Sequence, residues 1–276
     1  MPSYTAASVE TDGFSMDYLR FGSGKETLVI LPGLSVQSVM GSAEAVVQAY
    51  GIFSERYTVY LFDRRNDIPD VYTVDGMARD TAAAFSELGI SDACVFGASQ
   101  GGMIAMEIAA DHPELVKKLI LGSTSASVSS DGTGALEDWI ALAEAGDAEA
   151  LYLAFGESIY PKDLFEASRE LLIEAARTVT DRDLRRFVIM ARGMDGLDLR
   201  EKLASVSCPV LVIGDRDDRV LGPEASERIY SLLRDHTRAE LYMYEGYGHA
   251  AYDTAPDYRE RMAAFLDDRC IGTVEK

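Results

Sequence analysis

The sequence predicts an α/β fold, an open, mostly parallel central sheet with helices on both faces and a helical insertion. Three observations predict it. Most of the candidate strands are short, nearly continuous apolar runs, which suit parallel strands covered on both faces. Stretches with helical periodicity recur between them. From about residue 125 to 204 the strand pattern lapses, while apolar residues continue at helical spacing.

The chain opens with "YTAASVE" and "SMDYLRFG", which flank the turn "TDG" and read as an antiparallel hairpin. "TLVIL" (27–31), "YTVYLF" (57–62), "ACVFG" (93–97), "KLILG" (118–122) and "PVLVIG" (209–214) follow as buried strands, and "AELYMY" is a later one. Helices are expected over 74–88 and 103–110. The second stops before His112 because Pro113 disfavours helix in the residue preceding it. Within the insertion, "LEDWIALAEA", "LFEASRELLIEAA" and "DLRRFVIMA" carry the helical spacing, as in Leu184, Phe187, Val188 and Ala191. The strand pattern resumes afterwards, so the expected division is a core of 1–124 and 205–276 with an insertion of 125–204.

A chain of 276 residues, 47% hydrophobic and 26% charged, fits one large domain or one domain carrying an insertion. Its formal net charge of -20 argues against nucleic acid and anionic membranes, both of which are held by clustered Lys and Arg. Cys94, Cys208 and Cys270 lie far apart and have no ligand-like pairing with His, so they read as reduced, mostly core residues of a cytoplasmic protein. The N-terminal stretch has no basic segment followed by an apolar one, and no apolar run approaches the ~18 residues that span a bilayer. No cluster has metal-ligand spacing and no cofactor is implied. The expected partner is a small-molecule substrate; homodimerisation is left open.

"CVFGASQGGM" (94–103) runs from a strand into small residues around a single Ser. A strand that ends in Gly-x-Ser-x-Gly and turns at once into a helix strains the Ser, and requires small neighbours such as Gly97 and Gly101 so that strand and helix can approach. It lifts the hydroxyl of Ser99 to the carboxyl edge of the sheet, at a helix N-terminus that favours developing negative charge. A phosphate loop is the plainer alternative, but there is no Walker Lys and no GxGxxG.

A serine hydroxyl needs a base, and the base needs an orienting acid. Of three histidines, His112 reads as a helix-end residue and His236 lies in a charged connection. His249 follows the strand "AELYMY" in a loop at the edge where Ser99 stands, and is expected to be the base. The acid should come from "DRDD" after "PVLVIG", which offers Asp215, Asp217 and Asp218.

Ser99, a late acid and His249, in that chain order, resemble the α/β-hydrolase superfamily over nearly the whole chain. The insertion resembles that superfamily's variable cap. Its pattern of Gly, two residues and Asp matches Gly214 and Asp217, which implies Asp217 as the acid. The resemblance also implies an oxyanion hole built from the backbone N–H groups of Leu34, in "LPGL", and Gln100. The "FDRRND" stretch resembles a structural family segment, in which Arg64 and Arg65 are expected to form ion pairs.

What the resemblance implies is a carboxylesterase-like serine hydrolase that cleaves an ester, lactone or thioester of a small, mostly apolar substrate through an acyl-enzyme. Carbon–carbon bond hydrolysis and perhydrolysis are further options within the fold. Ser at the elbow disfavours dehalogenase and epoxide hydrolase chemistry. Trp139, Phe155, Tyr160, Phe187 and Met190 are candidate walls of the pocket. The alternative from another class is a ligand-binding receptor with little or no turnover.

Overall fold

The computed structural model describes residues 2–129 and 134–269. The expected hairpin is β1 (Tyr4–Thr11) and β2 (Phe14–Phe21), paired from Tyr4 opposite Phe21 to Thr11 opposite Phe14. With β3 (Glu26–Leu31), β4 (Tyr57–Arg65), β5 (Ala93–Ala98), β6 (Val116–Gly122), β7 (Val210–Asp215) and β8 (Ala239–Tyr244), it forms one sheet of eight strands. Their order is β1-β2-β4-β3-β5-β6-β7-β8. β2 joins β4 antiparallel, and every later pairing is parallel.

The helices are α1 (Ala43–Tyr50), α2 (Val74–Glu87), α3 (Gln100–Asp111), α4 (Gly134–Glu144), α5 (Ala148–Ile159), α6 (Lys162–Ala176), α7 (Asp181–Arg192), α8 (Pro223–Leu233), α9 (Ala251–Thr254) and α10 (Tyr258–Leu266). Because successive side chains of a strand point to opposite faces, the sheet feeds two apolar cores. Val29, Leu31, Val95, Leu119 and Val212 pack with α2, α3 and α8 on one side. Leu28, Ile30, Phe96, Ile120 and Ile213 pack with α1 and α10 on the other. Strands buried on both faces explain the unbroken apolar runs of β5 and β7, all of whose residues are buried.

Helices α4 to α7 lie between β6 and β7. Four helices stand where three periodic stretches are expected; the additional one is α5, whose N-terminus Asp147 caps by accepting from Ala150 N at 3.0 Å. An isolated bridge between Ser127 and Asp198 ties the two ends of this excursion together. Helix α3 also begins earlier than its apolar periodicity suggests, at Gln100, directly after the elbow.

Cys94 is buried and Cys208 half-buried, and both are free. Burial pushes each thiol up to about 11, which leaves them protonated and weakly nucleophilic at neutral pH. Cys270 lies outside the described residues. Among the described residues no helix is long and apolar enough to cross a membrane.

Candidate active site

Ser99 sits between β5 and α3 with φ 51° and ψ -121°, a conformation that a non-glycine residue holds only when its surroundings enforce it. The surroundings are tight. A Cβ on Gly97 would stand 2.4 Å from the Gly101 carbonyl oxygen, and one on Gly101 would stand 2.1 Å from that of Leu31. Ser99 N donates to Gly122 O at 2.8 Å, which fixes the turn against β6.

His249 is buried in the loop between β8 and α9. Its Nε2 lies 3.0 Å from Ser99 Oγ and its Nδ1 lies 2.9 Å from Asp218 Oδ2. The other oxygen of Asp218 accepts from Val220 N at 2.9 Å and Leu221 N at 3.1 Å. Burial on its own would raise the Asp218 pKa, but the hydrogen bond and charge of His249, with the two N–H groups, hold the carboxyl below its ordinary value. An ionised Asp218 can only accept, so Nδ1 carries its proton toward Asp218 and Nε2 is left to accept from the serine.

This placement corrects the expectation of Asp217. The exposed Asp217 gives its Oδ2 to Gly246 N at 2.7 Å and makes no contact with the imidazole. Asp215 is fully buried; its two oxygens accept from Asp217 N at 2.7 Å and Tyr247 N at 3.0 Å. Burial pushes the Asp215 carboxyl up, opposed by the N–H groups of Asp217, Tyr247 and Gly248. The three acids of "DRDD" therefore divide the work. Two grip the main chain just before His249, and the third meets its ring.

Leu34 follows the turn after β3, where Gly33 faces the serine: a Cβ on it would lie 3.2 Å from Ser99 Cβ. Gln100 is the first residue of α3, so its N–H is one of the donors that a helix leaves unpaired. Neither the Leu34 nor the Gln100 N–H meets a protein acceptor among the described residues. The buried Gln100 side chain donates from Nε2 to Met190 O at 2.7 Å and accepts from Arg64 Nη2 at 3.2 Å. The same guanidinium donates to Pro32 O at 2.8 Å.

Arg64 thus braces the turn and the elbow together instead of forming the expected ion pair, whereas Arg65 does pair with Asp80 at 3.3 Å. Burial pulls Arg64 down to about 10, which still leaves it cationic at neutral pH. Asp63 beside it accepts from Ser38 Oγ at 2.6 Å and pairs with Arg186 of α7.

A small cavity of about 30 Å³ adjoins Ser99 and His249. Trp139 and Phe155 line it, and Tyr160 lines a larger neighbouring cavity of about 880 Å³. Phe187 and Met190 line neither. Phe187 is a core residue behind Phe155, with ring centroids 6.2 Å apart, and Met190 reaches the site only through its carbonyl. Residues that the sequence reading missed include Met103 and Leu221 in the inner wall and Tyr252 between the cavities. It also missed Arg219, which donates to the carbonyls of Glu157 at 2.7 Å and Tyr160 at 3.0 Å at the end of α5.

The remaining histidines stand apart. His112 Nδ1 is 3.4 Å from Glu114, and His236 Nε2 is 3.1 Å from Leu203 O. Asp75, Glu107 and Asp111 converge away from the site, and Lys202 already pairs with the latter two.

The model of the alpha/beta hydrolase family matches residues 26–264 of the chain. Among curated relatives, a protein named "Putative carbamate hydrolase RutD" from Enterobacter cloacae is 25% identical over 243 residues, covering 85% of this chain and 88% of its own. The protein of that name from Caulobacter vibrioides is 24% identical over 255 residues, covering 89% and 91%. Among solved structures, the alpha/beta hydrolase MGS-M2 from a deep-sea metagenome library superposes with TM-score 0.82 at 21% identity, covering 96% of this chain and 98% of its own. The enol-lactonase from Burkholderia xenovorans superposes with TM-score 0.80 at 18% identity, covering 95% and 100%. At those identities the two structures share the fold.

Proposed function

The chain belongs to the alpha/beta hydrolase family, and on that premise we propose that it is a serine hydrolase acting on an uncharged ester or lactone carbonyl through an acyl-enzyme. The observation that carries this reading is the continuous hydrogen-bonded line from Asp218 through His249 to Ser99, ending at a strained elbow.

In this reading His249 Nε2 takes the proton of Ser99 Oγ as the oxygen bonds to the carbonyl carbon, and Asp218 steadies the resulting imidazolium. The N–H groups of Leu34 and Gln100 hold the carbonyl oxygen as it becomes an oxyanion; such a donor typically contributes roughly 3 kcal/mol at the transition state. Collapse breaks the bond to the leaving oxygen, which takes the proton from His249. Water, deprotonated by the same ring, then attacks the acyl-serine and releases the acid. Residues 125–204 act as the cap that roofs the site.

The relatives named for carbamate suggest a small anionic substrate. The inner cavity argues otherwise, because His249 is the only ionisable side chain besides Tyr252 among its described lining residues. An anion there would lack a counter-charge. The test is stoichiometric labelling by a fluorophosphonate, read as one mass adduct on wild type and none on Ser99→Ala, beside ester hydrolysis by the same two proteins. A folded wild-type protein that neither labels nor turns over esters, yet binds a small molecule, would favour the receptor alternative.

A further inference from the structure

The two cavities beside the serine differ in size, enclosure and polarity. The inner one, about 30 Å³, borders Ser99 and His249, and none of its lining residues is exposed. It has room for only about two or three water-sized groups. The outer one, about 880 Å³, opens to solvent past the exposed Gly41, Ser42, Ala45 and Thr178. Leu34, Phe155, Ile159 and Tyr252 border both, so they form the passage between them.

The inner walls are braced against expansion. Arg219 holds the end of α5 by two carbonyls, and Ala250 N, next to His249, donates to Ile159 O at 3.0 Å. On the opposite side the Gln100 side chain ties α7 to the elbow. Trp139 and Phe155 pack with ring centroids 4.6 Å apart across one wall.

An acyl-enzyme cycle assigns the cavities. The leaving group must depart while the acyl group is still bonded to Ser99, and a group seated in the small inner cavity leaves through the passage shared with the outer one, which an acyl group extending into that outer cavity would block. The group that departs must therefore occupy the open cavity. Resting on the serine-hydrolase reading above, we infer that the substrate is an ester of a short acid, acetyl or propionyl in size, with a bulky, largely apolar alcohol. Ser99 Oγ bonds to the acyl carbon, and collapse of the resulting oxyanion breaks the bond from that carbon to the alcohol oxygen; the proton from Oγ passes by way of His249 to the alcohol, which exits through the outer cavity.

The outer walls restrict the alcohol further. Asp253 stands on them, and the described lining residues include no Lys, Arg or His. The Gln37 and Tyr152 polar groups there already bond to each other at 2.9 Å. A phosphorylated alcohol or a coenzyme A thioester would find no cationic side chain among those lining residues to receive its charge.

Two isomeric esters test the assignment: 2-phenylethyl acetate carries its bulk on the alcohol, and methyl 3-phenylpropanoate carries the same bulk on the acid. Their leaving alcohols have similar intrinsic reactivity. The expected result is a kcat/KM for the acetate about tenfold or more above that of its isomer, narrowing when Trp139→Ala or Leu221→Ala enlarges the chamber. Equal rates, or a preference for the phenylpropanoate, would overturn the inference even if both variants failed to fold, since wild type alone decides it. Fluorophosphonate labelling keeps the two levels apart. A labelled enzyme with the wrong preference sinks the substrate class alone, and an unlabelled one sinks the serine-hydrolase reading.

Discussion

Asp218 Oδ2 lies 2.9 Å from His249 Nδ1, while Asp217, one residue earlier, turns away and takes the N–H of Gly246 at 2.7 Å. The adjacent carboxylates thus hold the same loop by different parts, one by its side chain and one by its backbone. Asp218→Asn is expected to lower kcat by about 10^4-fold, because the imidazole loses both its tautomer and its counter-charge. Asp217→Asn keeps an oxygen for Gly246 and should stay within about tenfold of wild type. Steady-state kinetics of the pair check this, and an inactive Asp217→Asn beside an active Asp218→Asn would reverse the assignment.

Ser99 and His249 are joined at 3.0 Å and act as one unit in the proposed mechanism. Ser99→Ala and His249→Ala should each cost about 10^4-fold or more in kcat, and the double variant should be scarcely worse than either. Multiplicative losses in the double variant would mean that the residues work independently.

Arg64 reaches both segments that carry the proposed oxyanion donors, through Pro32 O and the Gln100 side chain. Arg64→Met should loosen the spacing of the two N–H groups and lower kcat by about tenfold to a hundredfold with KM little changed. Fluorophosphonate labelling should slow in parallel, since the phosphonyl oxygen uses the same donors. A rise in KM at constant kcat would instead place Arg64 in substrate binding.

The carboxyl of Asp218 titrates below its ordinary value in the folded chain. Its contribution to stability is therefore fully present above the unfolded value of about 3.9 and is lost as pH falls through the folded pKa. The Tm difference between wild type and Asp218→Asn should stay constant from about pH 7 to 5 and narrow below about pH 4. A difference that widens on acidification would show that the pairing raises the pKa instead.

The strands and the elbow are legible in the sequence because their signals are local. An apolar run buried on both faces reads the same wherever it lies in a sheet, and Ser99 needs its glycines within two positions. The acid is not legible to the same degree. In "DRDD" the choice between Asp217 and Asp218 depends on how Asp215 folds the turn, through its bonds to Asp217 N and Tyr247 N, and the second of those lies 32 residues away. Phe187 and Met190 show the same limit. Helical spacing marks the apolar face of α7, but whether that face meets a cavity or a packed core depends on α5, whose Phe155 lies between Phe187 and the chamber.

The excursion that carries α4 to α7 leaves β6 and returns to β7, and those strands are immediate neighbours in the sheet. Ser123 N already bonds to Ile213 O at 2.9 Å across that gap, and the bridge at Ser127 and Asp198 closes the base of the excursion. Doubling the length of such a closed segment adds only about 0.6 kcal/mol of closure entropy. A longer or shorter excursion would therefore span the same gap between β6 and β7 at little entropic cost. Ser99, Asp218 and His249 all lie outside that stretch, so the proposed chemistry and the Trp139 and Phe155 wall of the cavity are carried by separate parts of the chain.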